Sequence, residues 1–266
     1  MLEALSYQFI QNALIAGILV SLISGIMGSL IVVNRMVFLA GGIAHAAYGG
    51  IGIAIFTGIP IFFGTSVFAV VAAVLMAFVT IKNRENMDTF IGLIWAVGMA
   101  IGIILVDLTP GYNVDLMSYL FGSILAVSTN DLYFMGALFL IILFVISFWY
   151  RNILAVSYDS EYAALSGINV KFFYTLILVL SALSVVIAIK VVGLILVIAL
   201  LTIPVYIAQA LSSSLYSMMI ISGIVATLFT IIGLYLSYTF NLTSGATIIL
   251  VAAISLILFM ILRKLR

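Results

Sequence analysis

The feature that most limits how this chain can fold is its long apolar segments, which run without charged side chains for the length of a membrane span. The segment from Met36 to Gly58, for example, contains no acidic or basic residue apart from His45, the one histidine of the chain. Hydrophobic residues make up 67% of the sequence and charged residues 6%, whereas soluble domains have roughly 45–50% and about 25%. Because so few charges cannot cover a soluble surface, the sequence predicts an integral membrane protein with several spans.

The apolar segments divide into lengths of about 20 residues, which is what an α-helix needs to cross a bilayer. This division predicts an all-α polytopic membrane protein with about nine transmembrane helices, and eight as the smaller count. The whole chain, 1–266, then forms a single transmembrane domain. The predicted spans are 9–34, 36–58, 60–81, 89–108, 131–150, 172–190, 191–211, 214–240 and 243–262.

Basic residues orient these spans, because cytoplasmic loops of membrane proteins are enriched in lysine and arginine. With nine spans, all the loops rich in basic residues fall on the cytoplasmic side and the N-terminus lies outside. The basic residues in question are Arg35, Lys82, Arg84, Arg151, Lys171, Arg263, Lys264 and Arg266.

One apolar segment is too short to span. Residues 117–128 lie within the predicted external stretch 110–130. Irregular backbone at membrane depth is tolerated where protein covers it, so a short re-entrant or interfacial helix fits this segment best.

Small residues recur every four positions in the first two predicted spans, which predicts close helix packing, since dispersion drives helix association in lipid. The first stripe contains Ala13, Gly17, Ser21, Gly25 and Ser29, and the second contains Gly42, Ala46, Gly50 and Ala54.

His45 is an ionisable residue at predicted membrane depth, where such residues commonly mark a transport pathway or a metal site. The alternative is a histidine that only hydrogen-bonds a neighbouring helix. Gly41 and Gly49 lie one turn away on either side and share its face. They either allow tight packing or leave space beside the imidazole for a solute.

Residues 151–171 form the longest polar interruption of the chain. Asp159 and Glu161 place negative charge where a short helix would begin, Ser157 or Asp159 can cap it, and Gly167 can end it. A plain connection between antiparallel helices needs only about 2–8 residues. The loop therefore predicts a docking surface for a soluble protein, with an ordinary amphipathic surface helix as the alternative.

Five segments carry motifs that are recognisable together, in collinear order over residues 9–262. They are RMVFLAGGIAHAAYGGIGIA, MDTFIGLIWAVGMAIGIILV, VDLMSYLFGSILAVSTNDL, the long stretch that begins DSEYAALSGINVK and continues through VVGLILVIALLTIPVYIAQAL, and TSGATIILVAAISLILFMI. The chain thereby resembles permease subunits of the zinc/manganese/iron family of ATP-binding-cassette (ABC) importers.

The resemblance implies a bundle like that of the vitamin B12 and siderophore importers, in the cytoplasmic membrane of a prokaryote. It implies partners as well: a second copy of the permease, two cytoplasmic ATPase subunits that bind ATP, and an external solute-binding protein. The cargo would be a divalent zinc, manganese or iron ion moved by alternating access, with no tightly bound cofactor. Residues 157–168 match the family's coupling helix, which contacts the ATPase, and the recognisable positions are Asp159, Glu161, Ala163, Ala164 and Gly167.

The sequence departs from the family beside His45. Members usually carry an acidic residue four positions before this histidine, and here that position is Gly41. Only His45 can be carried over as a metal ligand, so the resemblance implies a transient station with one imidazole. A single imidazole accepts Zn²⁺, Fe²⁺ and Mn²⁺ alike, although Mn²⁺ favours oxygen ligands.

Other classes of protein fit less well. The sequence has no Walker A motif, so the chain is expected to be a transport subunit and not itself an ATPase. An ion-coupled secondary transporter would favour charged pairs at the midplane and an internal repeat, and an intramembrane enzyme would need a catalytic constellation. A permease for a metal chelate, cobalamin or an iron–siderophore complex, remains the nearest alternative.

Overall fold

The described part of the chain, in a computed structural model, covers residues 7–82, 87–110 and 120–264 and is helical without any strand. Predictions that fall on Arg84, Asp115, residues 117–119 and Arg266 lie outside it. The helices are α1 (Gln8–Val33), α2 (Val37–Ala46), α3 (Tyr48–Thr57), α4 (Ile61–Lys82), α5 (Met87–Asp107), α6 (Thr129–Tyr158), α7 (Ser160–Leu165), α8 (Val170–Val192), α9 (Val197–Leu211), α10 (Leu215–Phe240) and α11 (Ser244–Lys264).

Eight spans in the described ranges are long and apolar enough to cross a membrane, and α2 and α3 together form one of them, Val37–Thr57. The all-α multi-pass fold is therefore confirmed, with the smaller of the two predicted counts.

Of the nine predicted spans, 191–211 is the one that does not correspond to a helix of spanning length. Its helix, α9, has only 15 residues, because the chain first turns at Gly193, where φ is +83°. The charge pattern places Arg263 and Lys264 in the cytoplasm only if α9 also crosses the membrane, so that placement stays a prediction.

The described residues fall into two compact units, each built from separate parts of the chain. The first takes its residues from Met1–Val32, Leu116–Phe139 and Ile187–Arg266, and the second from Val33–Asp115 and Leu140–Val186. His45 and the short helix α7 both belong to the second unit.

In the second unit, the span formed by α2 and α3 packs against α4 and α5 through glycines. A Cβ added at Gly52 would lie 2.6 Å from the Cα of Gly102 on α5, and one added at Gly50 would lie 2.7 Å from the Cα of Thr65 on α4. Such distances leave no room for a side chain. The close packing predicted from the second small-residue stripe is confirmed.

In the first unit, small and hydroxylated residues join α1 to α10. A Cβ at Gly25 would lie 2.5 Å from the Cα of Gly223. The Ser29 and Ser222 hydroxyls lie 3.2 Å apart within hydrogen-bonding distance. The first stripe is therefore also a packing surface, as predicted.

The segment before α6 is helical at its first described residues, Leu120 and Phe121. Residues 122–128 contain a single 3₁₀ turn, Ile124–Ala126, and the backbone at Gly122 is left-handed, with φ of +74°. Gly122 crosses Gly193 so closely that a Cβ on it would lie 2.7 Å from the carbonyl oxygen of Val191. A left-handed glycine at a backbone crossing ends a helix, so the helical part of the predicted re-entrant segment ends at Phe121 and the residues after it are irregular apart from the 3₁₀ turn.

The predicted loop 151–171 contains more helix than expected. Helix α6 has 30 residues and bends at Trp149, where φ is −104° and ψ is 19°. At about 1.5 Å per residue it is about 45 Å long, which exceeds a hydrocarbon core of about 30 Å. Residues 151–158 continue α6 up to Tyr158, so this helix is longer than the hydrocarbon core and only residues 159–171 of the predicted loop lie outside it.

Segments that the charge pattern places in the cytoplasm meet at one end of the second unit. A cavity of about 690 Å³ is lined by Arg35 after α1, Ile81 of α4, Met87 of α5, Glu161 of α7 and Lys171 of α8. These segments therefore lie at the same end of the helices of the second unit, and their placement on the cytoplasmic side of the membrane stays a prediction.

The packing predicts opposite responses to the same substitution at two glycines of the second unit. Gly52→Ala would press a methyl group into Gly102 and should lower the free energy of unfolding by about 1–3 kcal/mol. Gly92→Ala, on α5, would meet nothing within 4 Å and should leave stability unchanged or raise it by up to about 1 kcal/mol. Thermal unfolding of the two variants in detergent measures the difference, and equal midpoints would contradict the packing.

Candidate functional site

His45 lies in a stretch of helix whose other residues are all buried. From Leu39 to Gly52 every residue is buried except His45, which is partly exposed. The small residues around it bring α2 and α3 against their neighbours, so that only the imidazole reaches an accessible surface.

The imidazole of His45 stacks on the indole of Trp95, which lies on α5. The ring centroids are 4.0 Å apart and the ring planes differ by 6°. The indole N–H of Trp95 points to the Sδ of Met99, 3.1 Å away, so it is not the partner of the histidine. The stack fixes the plane of the imidazole without using either of its nitrogens.

The Nδ1 atom of His45 is buried and has no hydrogen-bond partner among the described residues. An unsatisfied polar atom in an apolar setting is costly, and an imidazole nitrogen with a free lone pair is a good ligand for a divalent metal ion. The alternative in which His45 only hydrogen-bonds a neighbouring helix finds no support in the described contacts.

The site around His45 has few other candidate ligands. Gly41, where the family usually has an acid, is buried one turn earlier on α2. Within the described ranges no group of three or more histidine, cysteine or acidic side chains could hold a metal ion.

Gly49 is used for packing. A Cβ there would lie 2.7 Å from the Cζ of Phe68 and 2.8 Å from the carbonyl oxygen of Gly98. Close approach of helices accounts for this glycine, and the predicted space beside the imidazole at Gly41 and Gly49 stays a prediction.

Helix α7 begins with the predicted cap. The Oδ1 of Asp159 accepts a hydrogen bond from the backbone N–H of Tyr162 at 2.9 Å. Glu161 follows in the first turn, where negative charge is favourable to the helix dipole. Asp159 is therefore the N-cap, and Ser157 lies in α6.

The end of α7 is equally well defined. Gly167 is left-handed, with φ of +78°, and its N–H bonds the carbonyl of Ala164 while that of Ile168 bonds the carbonyl of Ala163. These two bonds form a Schellman motif. The predicted stop at Gly167 is confirmed.

One residue of helix α7 is buried against the rest of the protein, and the others are exposed to solvent. Ala163 is fully buried, whereas Tyr162 and Leu165 are 63% and 89% exposed. Glu161 and Ala164 are exposed as well. A short capped helix with exposed apolar side chains fits a docking surface better than a plain connection does.

Trp95 is the contact of His45 that the sequence alone did not predict. A tryptophan in an apolar span is ordinary, and its place against His45 becomes visible only when α5 packs against α2. The one available signal was the small-residue face that it adjoins, formed by Gly92, Ala96 and Ala100.

Comparison with known proteins gives matches over nearly the whole chain. The model of the ABC 3 transport family matches residues 6–263. The chain is 46% identical over 264 residues to an uncharacterised membrane protein of Synechocystis sp., covering 99% of this chain and 94% of that protein. It is 36% identical over 250 residues to a manganese transport system membrane protein of Listeria monocytogenes, covering 94% of this chain and 89% of that protein.

The fold agrees with a solved structure as well. PsaBC from Streptococcus pneumoniae, solved in complex with Fab, superposes with a TM-score of 0.87 at 32% identity, over 95% of this chain and 91% of that one. The resemblance found in the motifs is thus confirmed over almost the full length, and the chain belongs to the ABC 3 transport family.

Proposed function

We propose that this chain is the permease subunit of an ATP-driven importer and that its cargo is the manganese ion, Mn²⁺. The observation that supports this most strongly is His45, which is the one partly exposed residue between Leu39 and Gly52 and whose buried Nδ1 has no hydrogen-bond partner among the described residues. The relative in Listeria monocytogenes is named for manganese transport, which favours this ion over zinc and iron.

One imidazole suits a station through which an ion passes. Mn²⁺ prefers oxygen ligands and tolerates imidazole, so water and backbone carbonyls can complete its shell around a single nitrogen. With Gly41 in place of an acid, the ion meets no carboxylate at this level and is released easily. The stack on Trp95 holds the imidazole in one orientation, which lowers the entropic cost of each encounter.

Transport by such a permease requires several partner proteins, and the exposed face of α7 can bind one of them. We infer a second copy of the permease, two ATPase subunits that bind ATP, and an external solute-binding protein. Helix α7, with its cap at Asp159 and its stop at Gly167, docks on an ATPase subunit through Tyr162, Leu165 and Glu161. Movement of α7 would reach the spans through α6 and α8, which flank it, and would alternate access to His45.

The proposal predicts that the nitrogen of His45 matters more than its ring. His45→Phe keeps an aromatic ring to stack on Trp95 but removes the ligand atom. Uptake of ⁵⁴Mn²⁺ into proteoliposomes with the assembled transporter should fall at least about tenfold, the lower end of what loss of a ligand-supporting partner costs at metal sites. Competing Zn²⁺ and Fe²⁺ in the same assay identify the preferred ion.

The matched control is Phe56→Leu, which changes an exposed ring in the same span and should transport normally. Full uptake by His45→Phe, with assembly unchanged, would contradict the role of His45. Preferred uptake of another ion would contradict manganese, and uptake of a chelate but not of the free ion would favour the chelate permease.

The docking role of α7 predicts uncoupling when its C-terminal stop is distorted. Gly167→Val places a β-branched side chain at a left-handed position, which costs about 1–2 kcal/mol and should disturb the Schellman motif without affecting the spans. Manganese transported per ATP hydrolysed should fall several-fold. Gly136→Val, at an open position on α6, should leave this ratio unchanged, and an equal ratio in both variants would contradict the coupling role.

A further inference from the structure

A second cavity, of about 310 Å³, lies on the surface of the second unit between the end of α4 and the start of α8. It is lined by Val74, Phe78, Ile81, Lys82, Lys171 and Thr175. We propose that this cavity binds the phosphate headgroup of an anionic phospholipid from the cytoplasmic leaflet. None of these lining residues belongs to α7 or to the surroundings described for His45.

The polar half of the cavity has the charge that such a headgroup needs. Lys82 is the last residue of α4 and Lys171 the second residue of α8, and no acidic side chain lines the cavity among the described residues. The positive end of the α8 dipole adds to the field of the two lysines. The larger cavity described above adjoins this one and is also lined by Arg35 and Glu161. Their opposite charges offset each other, so the two lysines supply the net positive charge.

The apolar half of the cavity explains why a lipid fits better than free phosphate. Phe78 is 57% and Val74 45% exposed, and the apolar surface continues along α4 through Val71 and Val67, at 52% and 49%. These residues recur every three or four positions and so form one stripe along the helix. An acyl chain can lie on this stripe while its phosphate reaches the lysines.

Lys82 lies at the end of a membrane span, where a lipid headgroup is expected. Its ammonium lies 4.2 Å from the centroid of the Phe78 ring, so the charged end sits at the border between the apolar stripe and the polar end of the helix. Lysines at the end of a span commonly extend towards the headgroups in this way. Basic pockets between cytoplasmic helix ends are typical sites for anionic lipid headgroups.

The test uses the purified full-length permease in its transporter complex. Phosphatidylglycerol, phosphatidylcholine or inorganic phosphate is titrated into delipidated protein, and lipid retention is followed by native mass spectrometry. The double variant Lys82→Gln/Lys171→Gln should weaken the retention of phosphatidylglycerol about 25-fold, at roughly fivefold per lysine. Retention of phosphatidylcholine should change little.

The matched control is Arg263→Gln/Lys264→Gln, which removes the same charge from the exposed end of α11 and should keep the preference for phosphatidylglycerol. Equal retention in the two double variants would overturn the proposal. Displacement of phosphatidylglycerol by inorganic phosphate at similar concentration would overturn the assignment to a lipid. A change of oligomeric state without loss of lipid would assign this surface to a protein interface instead.

Discussion

The close packing of the span Val37–Thr57 against α4 and α5 is the constraint on which the site depends. Contacts at Gly50 and Gly52 bring backbones together at distances that exclude a side chain. In a bilayer the hydrophobic effect does not drive such packing, so the dispersion energy of these contacts has to supply it. The packing buries the span, fixes its register against α5, and thereby places His45 against Trp95.

This packing also gives His45 its chemical character. A histidine with exposed neighbours would share its surface with water and lipid, whereas here only the imidazole is accessible between Leu39 and Gly52. The stack on Trp95 orients the ring and leaves Nδ1 without a hydrogen-bond partner among the described residues. In the proposed function, this nitrogen is the brief contact that the permease offers to its cargo.

Much of the fold could be predicted from the sequence because local rules govern it. Span positions follow from apolar length, and the ends of α7 follow from Asp159 as cap and Gly167 as stop. Where the structure differs in detail from the prediction, tertiary contacts decide: the left-handed Gly122, which crosses Gly193, ends the helix before α6 at Phe121, and the turn at Gly193 shortens α9. The same limit explains Trp95, since stacking against a residue fifty positions away has no signature in either segment.

The most direct test of the account is whether the nitrogen of His45 touches the transported ion. The permease, labelled with ¹⁵N-histidine and reconstituted with unlabelled partner subunits, can be frozen during manganese transport and measured by electron spin-echo envelope modulation. Because the chain has one histidine, the account predicts a directly coordinated ¹⁵N at Mn²⁺ that disappears in His45→Phe. A spectrum without ¹⁵N coupling, or one unchanged by the substitution, would contradict it.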